Sequence, residues 1–148
     1  LEDYYRRGFG AAADQVKAYW KHLEEARETF YHGDYESLPQ VYDQAFFDKV
    51  YALLDQADET LADAPQKYRD RVGFVRAGLD YTRLYIENIE LMARYQESGE
   101  TDEAAAEQVR ENFKTQERIA RSEKYPHAIH WGPIRHRRGP HPDGKWQK

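Results

Sequence analysis

The sequence predicts an all-α fold, an up-and-down four-helix bundle with an irregular basic C-terminal tail, and three observations carry that prediction. Apolar residues recur at three- and four-residue steps through most of the first 120 positions. Nothing alternates with the two-residue period of a strand, and capping residues and helix breakers fall between the periodic runs. The bundle is expected over residues 1–122 and the tail, rich in Pro, His and Arg, over 123–148. A chain of 148 residues is one domain's worth, able to bury roughly 70% of the surface its unfolded form exposes.

Glu2–Arg7 reads as a short helix or final turn, followed by a bend at Gly8-Phe9-Gly10. From about Ala11 to Tyr31, the residues Ala12, Val16, Tyr19, Trp20, Leu23, Ala26 and Phe30 share one helical face, and Gly33 closes the helix. Pro39 marks the end of the connection. Asp43 is the expected N-cap of the next helix, whose wide aromatic stripe runs through Phe46, Phe47, Val50, Tyr51, Leu54, Ala57 and Leu61.

Pro65 suits a first helical turn. The long helix after it carries one seam of Tyr68, Val72, Val75, Leu79, Thr82, Ile86, Ile89 and Ala93, and a second of Phe74, Tyr81, Tyr85 and Met92. Two adjacent seams place this helix centrally. Gly73 and Gly78 within it read as points of close helix contact, since each costs about 1 kcal/mol of helix propensity relative to Ala. Ser98-Gly99 ends it, Thr101 is the expected cap of the last helix, and Ala105, Val109, Phe113 and Ile119 form that helix's narrow stripe. Its polarity places it on the outside. Short connections favour antiparallel neighbours.

Charge divides the chain unevenly. Residues 1–120 hold 25 acidic against 15 basic side chains, whereas residues 121–148 hold 2 against 7. An acidic body argues against nucleic acid as a partner, because affinity there comes from neutralising phosphates. The apolar runs are too short to span a membrane. The absence of cysteine rules out disulfides, thiolate metal sites and a cysteine nucleophile. Because Leu1 rather than Met stands first, with helical sequence following at once, we expect a piece of a longer protein or a processed product.

No catalytic constellation stands out. A di-iron bundle needs Glu-x-x-His pairs, and this spacing is absent. His127 and His130, with His136 and His141 further along, have loop reach for zinc, but exposed or interface histidines explain them more simply, so no metal and no cofactor are expected. Gly139-Pro140-His141-Pro142-Asp143-Gly144-Lys145 matches the first seven places of a phosphate-binding loop. Its two prolines remove backbone donors that such a loop uses, and Trp146 stands where the magnesium-binding hydroxyl belongs. Glu24/Glu28, Glu87/Glu90 and Glu107/Glu111 lie among basic residues, as on a solvated helix face.

Twelve tyrosines and three tryptophans are many for a small bundle. Tyr81 and Tyr85, with Tyr4 and Tyr5, are candidates to pack against another protein layer or a sugar ring; filling the core and bonding at its rim is the alternative.

The opening Tyr4-Tyr5-Arg6-Arg7-Gly8-Phe9-Gly10-Ala11-Ala12, with Val16, Tyr19 and Trp20, resembles the start of the helical C-terminal part of the domain-of-unknown-function 4838 family. These are glycoside-hydrolase-like proteins related in plan to α-glucuronidases. Tyr42–Phe46, Leu53–Ala57 and Arg71–Tyr81 look like the family's second and third helices, so the resemblance covers most of residues 4–95. It implies a catalytic (β/α)8 barrel ahead of this region, acting on polysaccharide, and a secreted or periplasmic parent. No catalytic residue carries over to this chain.

The expected function is thus a non-catalytic C-terminal accessory domain that buttresses the barrel, its partner in the same parent chain. His127, His130, Trp131 and Arg135 are the tail residues expected to reach the barrel or an acidic carbohydrate, since Trp stacks on a sugar face while Arg pairs with a carboxylate. The alternative is a stand-alone helical protein-interaction module.

Overall fold

The structure, a computed structural model, describes residues 1–28, 37–125 and 141–143. All regular structure among these residues is helical, with no strand. Helix α1 spans Glu2–Phe9, a 3-10 turn spans Gly10–Ala12, and α2 spans Ala13–Glu28. Helix α3 is the single turn Leu38–Val41, α4 spans Gln44–Thr60, α5 spans Gln66–Glu97 and α6 spans Glu103–Ala120. The chain divides into two compact units, residues 1–76 and 77–148.

In the first unit, the expected bend at Gly8-Phe9-Gly10 is made at the second glycine alone. Gly8 stays inside α1, and the chain turns at Gly10, whose φ of 58° lies in the region that favours glycine. A Cβ there would also crowd the Tyr68 ring at 3.1 Å, so both backbone and packing oppose a side chain. Helix α2 packs against both α1 and α4. Val16, Val50 and Leu54 are fully covered, and Ala13, Tyr19, Phe46, Phe47 and Ala57 join them in the buried set. Each fully buried Leu or Val of this kind contributes about 1.5–3 kcal/mol through burial. Phe46 is a hub of rings, with Tyr42 and Phe47 edge-on at 4.9 and 5.3 Å and the His22 imidazole stacked at 5.3 Å.

Both ends of α4 are closed by side chains. Asp43 caps the start as expected, its Oδ1 accepting the Phe46 N–H at 2.8 Å. At the other end, Arg69 donates through Nη1 to the carbonyl of Ala62 at 2.7 Å, with Leu61 O at 3.5 Å, and through Nη2 to Gln66 Oε1 at 2.7 Å. A guanidinium in the turn just past α4 suits the negative end of the helix dipole. Arg76 then ties α5 to α4 by bonds to Asp55 at 2.9 Å and Asp58 at 2.7 Å. Burial alone would pull this guanidinium's pKa down, but the bonds to Asp58 and Asp55 outweigh it and hold it above its ordinary value.

In the second unit, Met92 and Tyr95 of α5 bury against Ala105, Ala106, Val109 and Phe113 of α6, with Leu91 beside them. The connection between the two helices differs from the expectation in one respect. Gly99 closes α5 with φ 71°, but Asp102 rather than Thr101 caps α6, accepting the Ala105 N–H at 3.0 Å. Thr101 instead donates its hydroxyl to the Ser98 carbonyl at 2.9 Å. A carboxylate three residues before the Ala105 N–H reaches it, and its charge suits the positive end of the helix better than a hydroxyl does.

Helix α6 is also less peripheral than its polarity suggests. Asn112 and Gln116 are buried with Asn88 of α5 in an amide ladder. Asn112 Nδ2 donates to Asn88 Oδ1 at 3.0 Å, and Asn88 Nδ2 donates to Gln116 Oε1 at 3.4 Å. Gln108 adds a bond to Asn112 Oδ1 at 2.9 Å, and Gln116 Nε2 reaches the Tyr81 carbonyl at 3.4 Å. Gly78 does not serve as a close-contact point, because a Cβ there would meet nothing within 4 Å. Tail residues 141–143 lie against α6, with the His141 ring 4.9 Å from that of Phe113 and Asp143 paired with Arg110 at 3.1 Å.

Candidate binding groove

Within the first unit, two short helical faces and one tryptophan enclose an open groove of about 490 Å3, lined by Tyr4, Arg7, Gly8, Phe9, Trp20, Arg71, Phe74 and Val75. The spacing explains why these residues meet. Tyr4, Arg7 and Gly8 stand at i, i+3 and i+4 on α1, and Arg71, Phe74 and Val75 stand at the same steps on α5. Each trio forms one face of its helix. Trp20 comes from α2.

Three of the rings are open to solvent, Tyr4 at 62%, Phe74 at 43% and Trp20 at 40% exposure. Phe9 is buried beneath, its ring 6.4 Å from that of Tyr4 in an edge-on arrangement. Gly8 leaves space in the wall, since a Cβ on it would meet nothing within 4 Å.

The charged groups of the groove are guanidinium groups. Arg71 donates through Nη1 to the carbonyl oxygens of Gly8 at 2.7 Å and Arg7 at 3.0 Å. It thereby caps the last turn of α1, where the dipole favours a cation. Its Nε and Nη2 have no partner among the described residues. Arg7 is engaged with Asp3 one turn back, Nε to Oδ1 at 2.8 Å. No carboxylate lines the groove. Its cationic character therefore stands out in a unit whose residues 1–76 carry 15 acidic and 10 basic side chains.

The α1 side of the groove is tied to α2 by an ion pair between Lys17 and Glu2. The bond from Lys17 holds the Glu2 carboxyl below its ordinary range, and the same bond raises the Lys17 ammonium. Both groups are exposed, so the pair sets orientation more than stability.

Of the residues singled out from sequence, Tyr4 lies in the groove. Tyr81 is buried at 7% exposure, and its carbonyl belongs to the amide ladder of the second unit. Tyr85 is half-buried on α5, and burial pushes its phenol pKa up. His127, His130, Trp131 and Arg135 lie outside the described residues.

The apolar pattern puts Trp20 and Phe74 in helix seams, and the structure leaves both exposed. The signal was present for Trp20. Tyr19 and Trp20 are neighbours about 100° apart on a helix, and only Tyr19, at 3% exposure, takes the buried face.

Among the described residues, no three His, Asp or Glu side chains gather as a metal site, and no helix is long and apolar enough to cross a membrane. No protein-family model, curated protein or solved structure matches the chain.

Proposed function

We propose that this chain is a non-catalytic C-terminal helical accessory domain of a polysaccharide-degrading, glycoside-hydrolase-like parent. In this reading its helices form an up-and-down bundle that buttresses a catalytic barrel. The observation that carries it is the rim of Tyr4, Trp20 and Phe74 around the groove. Exposed Trp and Tyr beside Arg is the composition of surfaces that bind, where rigid rings give contact area and guanidinium groups give direction. The resemblance of residues 4–95 supplies the parent. His127, His130, Trp131 and Arg135 are proposed to extend the same contact toward the barrel or an acidic sugar.

The test is the intact mass and coding length of the native gene product. A product several hundred residues longer, with repeating strands and helices upstream, is the expected result. A native product of about this size overturns the accessory-domain reading. The composition of the groove then favours the second reading, a stand-alone interaction module that binds its partner through Tyr4, Trp20 and Phe74.

A further inference from the structure

We infer that the groove between α1, α2 and α5 is a binding site for a ring-bearing carboxylate, with Arg71 as the carboxylate receptor and Trp20, Tyr4 and Phe74 as the platform for the ring. The inference rests on the proposed function only in taking this groove as a binding surface, and it does not depend on the parent.

The argument begins with Arg71. Its Nη1 is held by two main-chain carbonyls, at 2.7 and 3.0 Å, while Nε and Nη2 have no partner among the described residues. The guanidinium is thus oriented before any ligand arrives, so little side-chain freedom remains to be lost on binding. A planar fork with free N–H groups matches the geometry of a carboxylate, and hydrogen bonds between two charged groups are about twice as strong as neutral ones.

The remainder of the groove selects what the carboxylate is attached to. Three exposed rings and Val75 offer apolar faces, which suit a ligand with a flat or C–H-lined ring. A volume of about 490 Å3 lies within the roughly 300–1,000 Å3 typical of small-molecule sites. No acidic side chain stands in the lining, and the Arg7 and Gly8 carbonyls at the negative end of α1 are already engaged by Arg71 Nη1. A sugar acid and an aromatic acid share this chemistry, and the test separates them.

The experiment is an NMR titration of the whole chain, following the Trp20 indole N–H, which is identified by its loss in Trp20→Phe. Tri-galacturonate and phenylacetate are the acidic probes; maltotriose and 2-phenylethanol are their neutral counterparts. At least one acid is expected to shift the Trp20 signal in a saturable way, at least tenfold more tightly than its neutral counterpart. A response to tri-galacturonate alone identifies the sugar acid, and a response to phenylacetate alone the aromatic acid.

Arg71→Lys, which keeps the charge and removes the fork, is expected to weaken the acid at least fivefold. Gly8→Leu fills the open space in the wall while leaving the carbonyls that hold Arg71, and it is expected to abolish the shift with the helical circular dichroism retained. The inference is overturned if neither acid moves the Trp20 signal, or if each neutral probe binds as tightly as its acid. Undiminished acid binding in Arg71→Lys also overturns it, and that readout stands even where Gly8→Leu fails to fold. The native product's length leaves all these outcomes unchanged, so failure here is distinct from failure of the accessory-domain reading.

Discussion

Asn112 donates its side-chain N–H to Asn88 Oδ1 at 3.0 Å, with both residues buried, so an amide ladder runs through the apolar contact between α5 and α6. Each amide depends on its neighbours to replace water. Asn88→Leu strands Asn112 Nδ2 and removes the donor to Gln116 Oε1, and each stranded group is expected to cost about 1–3 kcal/mol. Replacing Asn88, Asn112 and Gln116 together by Leu removes the demand along with the supply and is expected to cost far less than the sum of the single changes. Urea unfolding of the single and triple variants checks this. Additive losses would show that the ladder is not one network.

Gly10 and Gly78 are expected to respond to alanine with opposite signs. At Gly10 the φ of 58° and the Tyr68 ring at 3.1 Å both oppose a Cβ, and Gly10→Ala is expected to cost about 1–3 kcal/mol. At Gly78 the surroundings are open, and the Thr82 hydroxyl bonds only to its carbonyl, which alanine retains. Gly78→Ala is therefore expected to stabilise by about 0.5–1 kcal/mol through helix propensity alone. Thermal unfolding of the two variants measures both signs.

Helix type and helix ends were legible in the sequence where they depend on residues close in the chain. Asp43 three positions before the Phe46 N–H, and Gly99 at the end of α5, could be read directly. Less legible was what depends on partners distant in the chain. Arg69 reaches back to the carbonyl of Ala62, and Arg71 reaches Gly8 across more than sixty residues; neither has a periodicity to announce it. Polar residues read as surface, and the sequence therefore points α6 outward, although Asn112 and Gln116 are buried by pairing with Asn88. The groove escaped for a related reason, because an apolar pattern cannot by itself separate Trp20, facing open space, from Tyr19, facing the core. The 4/7/8 and 71/74/75 trios are ordinary helix spacing, and only folding shows that they share a groove.

The cap of α4 gives a local test with a familiar size. Asp43 Oδ1 satisfies the Phe46 N–H at 2.8 Å, one of the donors a helix start leaves open. Asp43→Ala is expected to lose about 1 kcal/mol, while Asp43→Asn, which retains a side-chain acceptor, is expected to lose less. For a chain of this size a loss of that order lowers Tm by about 2–4 °C. Equal stability of the alanine and asparagine variants would refute the role of the cap.

Asp102 gives the pH dependence its sign. The Ala105 N–H is the largest influence holding its carboxyl below the ordinary value of 3.8; desolvation opposes it, and the Arg94 guanidinium at 2.8 Å helps the lowering prevail. A lowered folded pKa means that the unfolded chain binds the proton more readily. The contribution is therefore complete above the unfolded value and is lost as pH falls through the folded one. Asp102→Asn keeps an acceptor for Ala105 but has no charge to titrate or to pair with Arg94. The stability difference between the native chain and Asp102→Asn is expected to be largest near about pH 7 and to shrink steadily below about pH 4. Urea unfolding of both proteins across that range measures it. A difference that stays constant into acid would mean that the Asp102 charge contributes nothing to folding and that the cap works through its hydrogen bond alone.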